Sequence, residues 1–180
     1  MSILFLVGAR ASGKTTIGKA LAKSLGLPFV DTDQHMLRRA GLTVEQIVAS
    51  EGWPGFRTRE STSLREVVAD HAQGCVVSTG GGMVLAEENR TLVRQCGMVV
   101  FLDAPVQTLA ERLSRNPVAS QRPSLTGKGL IEEIGQVLEE RRHLYEQAAH
   151  HIVDASRSMP AVCRKIEHLW REQPAEEAKP

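Results

Sequence analysis

Residues 8–15 have the side-chain types and the spacing of a phosphate-binding loop. Their sequence, GARASGKT, fits the pattern G-x-x-x-x-G-K-[ST]. The loop follows an apolar run at 3–7 that predicts a buried strand, and it precedes a helical pattern that extends to about Leu25. A strand before and a helix after is the context that the motif requires, so we favour an anion-binding loop over an ordinary turn.

The chemistry expected of this loop is the binding of nucleotide phosphates. A tight loop points several backbone N–H groups at one anion, and the helix that begins near Gly13 adds its positive dipole end. We expect the Lys14 ammonium to reach the β- and γ-phosphates and the Thr15 hydroxyl to bind Mg²⁺, so ATP and Mg²⁺ are the predicted cofactors. The phosphoryl acceptor, an organic molecule or water, is open at this point. The predicted nucleotide contacts in and beside the loop are Gly8, Arg10, Ala11, Ser12, Gly13, Lys14, Thr15 and Thr16.

Two carboxylates, Asp31 and Asp33, follow the second predicted strand at 29–30. The carboxyl ends of the strands form the edge of an open α/β sheet where ligands bind. One carboxylate would hold Mg²⁺ through water, and the other would contact a substrate hydroxyl as an orienting group or a base. The alternative is that Asp33 only caps a helix at 34–40.

Helical angles aim a charged pair at the interior in the segment 55–72. At about 100° per residue, Arg57 and Glu60 fall within the apolar stripe of this predicted helix, whereas Arg59 points away. We expect Arg57 to bind an anionic substrate and Glu60 to hold it in place, because an arginine has more donors than one carboxylate can use. A self-contained salt bridge is the alternative.

The segment 130–149 repeats this pattern with a second arginine. Arg141 lies near the centre of the apolar stripe, and Arg142 lies about 100° to one side. Two inward arginines from different helices suggest a planar carboxylate or phosphate on the ligand. Alternatively, Arg141 reaches water past the stripe or meets an internal Asp.

Three consecutive glycines, Gly80, Gly81 and Gly82, follow the third predicted strand at 75–78. Because they carry no side chains, a ligand can lie against bare backbone and be bound by its N–H groups. We therefore predict substrate contacts at this triplet. A simple flexible exit from the strand is the alternative.

Residues 114–129 form an irregular segment that is long for a connection, and we expect a mobile lid rather than a plain surface loop. Within it, Arg122 would bring positive charge to the transferring phosphoryl group as the lid closes over ATP. Outside it, Arg112 is placed to stack on adenine, and Arg157 is a further candidate for a nucleotide contact. An ordinary surface arginine is the alternative for each of these three residues.

Composition predicts a single domain with no charge-driven partner. The 180 residues are 42% hydrophobic, enough for one core, so we predict one domain over 1–172 and a disordered tail at 173–180. Lys and Arg number 22 against 21 Asp and Glu, so no global field attracts nucleic acid or an anionic membrane. The first apolar run is too short for a signal peptide or a membrane span. With three widely separated cysteines read as reduced thiols, a cytoplasmic protein is expected.

Short apolar runs alternate with helical patterns along the whole chain. This alternation predicts an α/β fold in which helices cover both faces of a parallel sheet. The candidate strands are 2–7, 29–30, 75–78, 98–102 and 151–153.

Taken in order, these motifs resemble the shikimate kinase family over about residues 3–170. The stretch 51–57, EGWPGFR, is similar to the second of two bacterial isoenzyme types. Two departures are Ala11, where the family commonly has glycine, and His143, where proline often stands. The matching motifs are the phosphate loop, Asp31-Thr32-Asp33, Gly55-Phe56-Arg57, Thr79 with the three glycines, Arg122-Pro123 and Arg141 with Leu144-Tyr145.

The resemblance implies a three-layer P-loop NTPase fold like that of the nucleoside-monophosphate kinases, with a five-stranded parallel sheet in the order 2-3-1-4-5 and a lid. It implies transfer of the ATP γ-phosphoryl group to the 3-hydroxyl of shikimate, on the way to chorismate, usually by a monomer. A kinase for another small polyol acid such as gluconate, and a nucleotide-binding module without catalysis, are the alternatives.

The resemblance also implies roles for individual residues. The residues matched to shikimate contacts are Asp33, Arg57, Gly81 and Arg141, with the arginines on the carboxylate of shikimate. Thr15 and Asp31 match the Mg²⁺ contacts, and Arg122 matches the lid arginine at the ATP phosphates. The predicted catalytic residues are Lys14, Asp33 and Arg122.

Overall fold

Five short apolar segments form a parallel sheet at the centre of the protein. In the computed structural model, which describes residues 3–115 and 129–172, the strands lie in the order β2-β3-β1-β4-β5, and every pairing is parallel. The α/β class and the predicted strand order are therefore confirmed. The strands are β1 (Ile3–Val7), β2 (Phe29–Asp31), β3 (Cys75–Ser78), β4 (Gly97–Asp103) and β5 (His151–Asp154).

The central strand β1 is buried along its whole length, as expected for a sheet covered on both faces. Its residue Ile3 lies opposite Cys75 of β3 on one side and Gly97 of β4 on the other. A Cβ atom at Gly97 would overlap the backbone of Ile3. The close approach of these two strands therefore requires glycine at the start of β4.

Helices connect the strands and cover the sheet. Connections that run in opposite directions along a parallel sheet lie on opposite faces, because such crossovers are right-handed. Accordingly α1 packs against α7, whereas α4 packs against α3 and α6. The helices are α1 (Lys14–Leu25), α2 (Thr32–Ala40), α3 (Val44–Asp70), α4 (Glu87–Cys96), α5 (Val106–Ser114), α6 (Leu130–Ala148) and α7 (Met159–Arg171), with a 3₁₀ turn at Met83–Leu85.

The helix predicted at 34–40 begins earlier, and its cap is a different aspartate. Helix α2 starts at Thr32, and the side chain of Asp31 accepts a hydrogen bond from the N–H of Gln34 at 3.2 Å. Asp33 lies in the first turn of the helix. The capping role considered for Asp33 is therefore taken by Asp31, and the Asp33 carboxylate is not the helix cap.

The helix predicted at 55–72 is the second half of a longer helical element. Helix α3 begins at Val44 after a capping box between Thr43 and Gln46, and it is broken at Gly52, whose backbone has φ 68° and ψ −178°. Pro54 follows two residues later and cannot continue the hydrogen-bond ladder of the first half. Helical periodicity does not predict this kink, because each half is periodic by itself.

The apolar side chains form two clusters of unequal size. The larger one surrounds the sheet and includes the fully buried Leu4, Phe5 and Phe101. The smaller one lies between α2 and α3, with residues from both sides of the kink at Gly52, and Trp53 packs edge-on against Phe56 at a centroid distance of 5.6 Å. It consists of Met36, Val44, Ile47 and Phe56.

Some predictions fall on parts of the chain that the structure does not describe. The predicted lid at 114–129 is described only at residues 114, 115 and 129. Arg122 and the tail at 173–180 also lie outside the described residues. Within the two described ranges, no helix combines the length and apolar character needed to cross a bilayer.

Candidate active site

The loop between β1 and α1 folds tightly because three of its residues adopt positive φ angles. These are Gly8 at 145°, Ala11 at 63° and Gly13 at 97°. At Gly8 a Cβ atom would lie 2.8 Å from the carbonyl oxygen of Leu102. Ala11 is the one non-glycine residue with positive φ in the described part of the chain, so it keeps the backbone conformation that the glycine of related loops would favour.

The ammonium of Lys14 is folded back onto this loop. Its Nζ atom donates hydrogen bonds to the carbonyl oxygens of Gly8 and Ala9, each at 2.8 Å, and the residue is 8% exposed. A buried ammonium stabilises the tight turn, and it also brings a positive charge to the cavity that the loop borders. The side chain thus has both a structural and an electrostatic role in the phosphate loop.

Side-chain oxygen atoms that could bind a metal ion come together from α1, β2 and β3 at the carboxyl edge of the sheet. The Thr15 hydroxyl donates to Asp31 Oδ2 at 3.0 Å, and it lies 3.4 Å from the Ser78 hydroxyl. Hydroxyl and carboxylate oxygens with room for water and phosphate are what Mg²⁺ prefers, so this set fits a magnesium ion. Ser78 was missed by the sequence analysis. Its position in the last residue of β3, beside Asp31 at the end of β2, is the signal that identifies it.

Arg57 is held in a partly apolar setting by a buried carboxylate. Its Nη1 atom donates to Glu60 Oε2 at 2.7 Å, and its guanidinium lies 5.6 and 5.3 Å from the ring centroids of Trp53 and Phe56. Burial raises the pKa of Glu60, and the positive charge of Arg57 opposes that shift. The expected pairing is therefore present. Arg59 points away, as expected, and binds Glu51 through two hydrogen bonds.

The glycine triplet provides space for the protein's own side chains. None of the three glycines has a positive φ angle. A Cβ atom at Gly80 would lie 2.5 Å from Asp33 Oδ1 and closer still to Glu60, and one at Gly82 would overlap the guanidinium of Arg57. Gly81 and Gly82 line the cavity, whereas Gly80 lies behind it, with its N–H bonded to the Thr32 hydroxyl at 3.1 Å. Contact between a ligand and the bare backbone of these three glycines stays a prediction.

The neighbouring arginines of α6 have different surroundings. Arg141 lines the cavity and donates to the carbonyl oxygen of Gly81 at 3.4 Å. Arg142 binds both carboxylate oxygens of Asp103, at 2.8 and 2.9 Å, away from the cavity lining. The meeting with an internal aspartate that was considered for Arg141 is made by Arg142 instead.

A further side chain of α6, Tyr145, belongs to one of the motifs that match the family, but the sequence analysis predicts no role for it in the site. Its hydroxyl donates to the same Gly81 carbonyl at 2.6 Å, and its ring stacks on Phe101 at a centroid distance of 5.1 Å. A tyrosine within an otherwise aliphatic stripe, aimed at a glycine-rich strand end, is the signal that would have marked it.

One cavity of about 800 Å³ joins these groups. It brings the phosphate loop, Asp31 and Asp33 together with both inward arginines, Arg57 and Arg141. Gly8, Ser12 and Gly80 are not part of its lining. The other predicted site residues on its wall are Arg10, Ala11, Gly13, Lys14, Thr15, Thr16, Gly81, Gly82, Arg112 and Arg157.

The two arginines proposed for the nucleotide lie at one end of this cavity. Arg112 donates to the carbonyl oxygens of Ser12, at 3.4 Å, and Ala155, at 2.7 Å. Arg157 is largely exposed and pairs with Asp154 at 3.2 Å. Arg112 thus ties the phosphate loop to the segment after β5, where a nucleotide base would leave the loop.

Comparison with known proteins identifies the family of this chain. The family model described as shikimate kinase matches residues 10–170. The chain belongs to the shikimate kinase family. A curated relative, shikimate kinase 2 of Syntrophotalea carbinolica, is 53% identical over 170 residues, which cover 94% of this chain and 97% of the relative. The name of this relative, shikimate kinase 2, agrees with the similarity of the stretch 51–57 to the second bacterial isoenzyme type.

Solved structures place this shikimate kinase family member among P-loop kinases. The shikimate kinase of Acinetobacter baumannii in complex with shikimate aligns with a TM-score of 0.86 at 32% identity, over 99% of this chain and 96% of that one. A gluconokinase of Sinorhizobium meliloti aligns with a TM-score of 0.56 at 20% identity, over 96% and 98% of the two chains. At that identity the gluconokinase shares the fold alone.

Proposed function

We propose that this chain transfers the γ-phosphoryl group of ATP to the 3-hydroxyl of shikimate, giving shikimate 3-phosphate and ADP. The observation that carries the proposal is the cavity of about 800 Å³, whose lining includes both the phosphate-binding loop and the two inward arginines. Family membership and the shikimate complex of the relative from A. baumannii support the same substrate. Use of ATP follows from the kinase family and from the loop.

The acceptor would lie between three elements of this chain. Arg57 and Arg141 would bind its carboxylate, since planar guanidinium groups suit planar carboxylates. Asp33, whose side chain extends toward Gly80 and lines the cavity, would orient the reacting hydroxyl. Gly81 and Gly82 would form the floor beneath the ring. Most of the rate enhancement would come from this alignment, because phosphoryl transfer needs little covalent help from the protein.

The nucleotide would lie along the phosphate loop. Lys14 would move its charge from the loop carbonyls to the β- and γ-phosphates, while Arg112 and Arg157 would border the base. Thr15 and Asp31 would hold Mg²⁺, with Ser78 beside them. When bound, that ion would neutralise part of the negative charge of the phosphates. From the lid, Arg122 would add a second positive charge as water is excluded.

Three further predictions belong to this proposal. One domain is proposed over 1–172, acting as a monomer in the cytoplasm. The cytoplasm is proposed because Cys75, Cys96 and Cys163 are widely separated in the sequence and odd in number, as is usual for reduced thiols. Burial raises the pKa of Cys75 to about 11, so that thiol stays protonated and unreactive.

A coupled assay of ADP release tests the proposal directly. The purified chain is given ATP and Mg²⁺ with shikimate, with gluconate at the same concentration, or with no acceptor. We expect ADP release that depends on shikimate, and a loss of about 10²-fold or more in kcat for Asp33→Asn. Equal release with gluconate would favour the polyol-acid alternative. Binding of ATP with no acceptor-dependent release would favour a non-catalytic nucleotide-binding module.

A further inference from the structure

A buried tyrosine hydroxyl connects two walls of the cavity. Tyr145 is 1% exposed, and its ring is fixed by stacking on Phe101 of β4, with 23° between the ring planes. Phenylalanine would fill the same space, so packing alone gives no reason for the hydroxyl. That hydroxyl lies at the cavity lining and donates to the Gly81 carbonyl oxygen at 2.6 Å.

The guanidinium of Arg141 reaches the same carbonyl. Its Nη1 atom donates to the Gly81 oxygen over a long contact of 3.4 Å, and its positive charge acts on the nearby Tyr145 hydroxyl. Burial raises the pKa of Tyr145 to about 12 although Arg141 acts in the opposite direction. The hydroxyl is therefore protonated at neutral pH, and it donates to the Gly81 carbonyl oxygen that Arg141 also approaches.

Arg141 has a neutral hydrogen-bond partner, the Gly81 carbonyl, although it also interacts electrostatically with Glu60. Arg57 is held by Glu60 and Arg142 by Asp103, each through an ion pair at 2.7–2.8 Å. Across residues 3–115 and 129–172, Arg141 makes no ion pair, and its Nε atom is buried without an acceptor. A long, flexible side chain needs contacts to stay in one orientation, and here the Gly81 carbonyl, itself fixed by the Tyr145 hydroxyl, supplies one.

We propose that Tyr145 is a positioning residue that aligns Arg141 and the Gly81–Gly82 peptide for the phosphoryl acceptor. The peptide unit is planar and trans, so fixing the Gly81 carbonyl also fixes the opposite direction of the Gly82 N–H. One hydroxyl thereby orients a cation on α6 and a donor on the glycine triplet together. This inference rests on the proposed function, because the acceptor it serves is shikimate.

The test is Tyr145→Phe, which keeps the ring stack and removes only the hydroxyl. We expect the KM for shikimate to rise about fivefold to tenfold, the usual effect of losing one buried hydrogen bond, with the KM for ATP within about twofold of wild type. Combined with Arg141→Ala, the substitution should add little, because it acts through that residue. A merely structural role would lower the active fraction and leave the KM for shikimate unchanged.

Spectroscopy on the unaltered protein gives an independent readout. Tyr145 is the only tyrosine in the chain, so protein labelled with ¹³C at the ring ζ carbon of tyrosine gives one resonance. That resonance should shift when shikimate is added in the presence of ADP, and should shift much less with ADP alone. Calorimetric titration of the Phe variant with shikimate should show the same loss of affinity as the kinetics.

The possible failures are distinguishable. If wild type releases no ADP in response to shikimate, the proposed function fails and the inference falls with it. If wild type is active but Tyr145→Phe has unchanged constants, or raises both KM values equally, the inference alone is wrong. The inference is also wrong if Tyr145→Phe raises the KM for shikimate as much in the Arg141→Ala background as it does in wild type.

Discussion

Arg141 and Arg142 are adjacent in the chain but do different work because of their partners. Replacing Arg141 with Ala removes a guanidinium that has no carboxylate partner in the described part of the protein, so we expect substrate binding to suffer most. The KM for shikimate should rise on the order of 30-fold or more, with little change in the KM for ATP. Steady-state kinetics with each substrate varied in turn gives both constants.

The matched control is Arg142→Ala. Its ion pair with Asp103 is partly exposed, with side-chain exposures of 43% and 25%, so the loss of stability should stay within about 1 kcal/mol. The KM for shikimate should remain within about twofold of wild type. Similar effects of the two substitutions on this KM would show that the orientation assigned to α6 is wrong.

Gly80 is sensitive to any added atom because two carboxylates face it. In Gly80→Ala the new Cβ would displace Asp33 and Glu60, and a misplacement of about 1 Å can cost on the order of 10²-fold in rate. We expect kcat/KM for shikimate to fall by about that factor. The control is Gly135→Ala in α6, where the Cβ would meet only Val106 at 3.9 Å. It should leave activity unchanged, and wild-type activity of Gly80→Ala would refute the steric argument.

Ala11 carries the strain of a left-handed backbone at φ 63°. Glycine relieves that strain but costs entropy in the unfolded chain, so Ala11→Gly should raise the free energy of unfolding by up to about 1 kcal/mol. Urea denaturation measures the change. Ala20→Gly, in the middle of α1, should have the opposite effect, a loss of about 1 kcal/mol. If both substitutions destabilise the protein equally, Ala11 is not strained.

At the scale of elements, the turn between α6 and β5 should respond to pH. The backbone N–H of Val99 donates to His150 Nδ1 at 3.1 Å, which requires that nitrogen to be unprotonated. Burial lowers the pKa of His150, and the nearby charges of Arg94 and His151 lower it further. A base with a lowered folded-state pKa is fully stabilising above its unfolded value of 6.5, and that contribution is lost as the pH falls below it.

His150→Asn tests this element, because the amide oxygen keeps an acceptor that does not titrate. We expect the stability of wild type to decline relative to the variant as the pH falls from 7 to about 5, as measured by urea unfolding at each pH. His143→Asn, on the exposed face of α6, is the control and should follow wild type. Parallel curves for wild type and His150→Asn would contradict the role given to this hydrogen bond.

The sequence predicts elements well where one pattern governs them and poorly where two compete. The strand order and most element bounds follow from alternating apolar runs. Asp31 caps α2 because the chain turns from β2 into the helix at that residue, and the sequence does not show where this turn falls. The kink at Gly52 depends on how the two halves of α3 pack, since each half has a regular helical pattern by itself. Likewise, the run of three glycines after β3 predicted contacts with a ligand, but the coordinates reveal that Asp33 and Glu60 lie against Gly80 and that Arg57 lies against Gly82.

At the scale of the whole molecule, the two ligands that we expect in the cavity should each stabilise the folded state. A ligand that binds the folded state at 100 times its Kd adds about 2.7 kcal/mol of stability, which for a chain of this size raises Tm by about 5–10 °C. We expect ADP with Mg²⁺ to raise Tm, and shikimate to raise it again. In Arg141→Ala the response to ADP should persist while the response to shikimate is lost. Thermal scans with each ligand alone and together provide the measurement.

The two apolar clusters stabilise different parts of the chain. The phosphate loop is continuous with the large cluster around the sheet, so its shape is fixed by the most stable part of the protein. Helices α2 and α3 share the small cluster, which includes Phe56 beside Arg57. Substitutions in this cluster therefore disturb few contacts of the large one, so the cavity wall beside Arg57 could change in evolution while the phosphate loop keeps its shape.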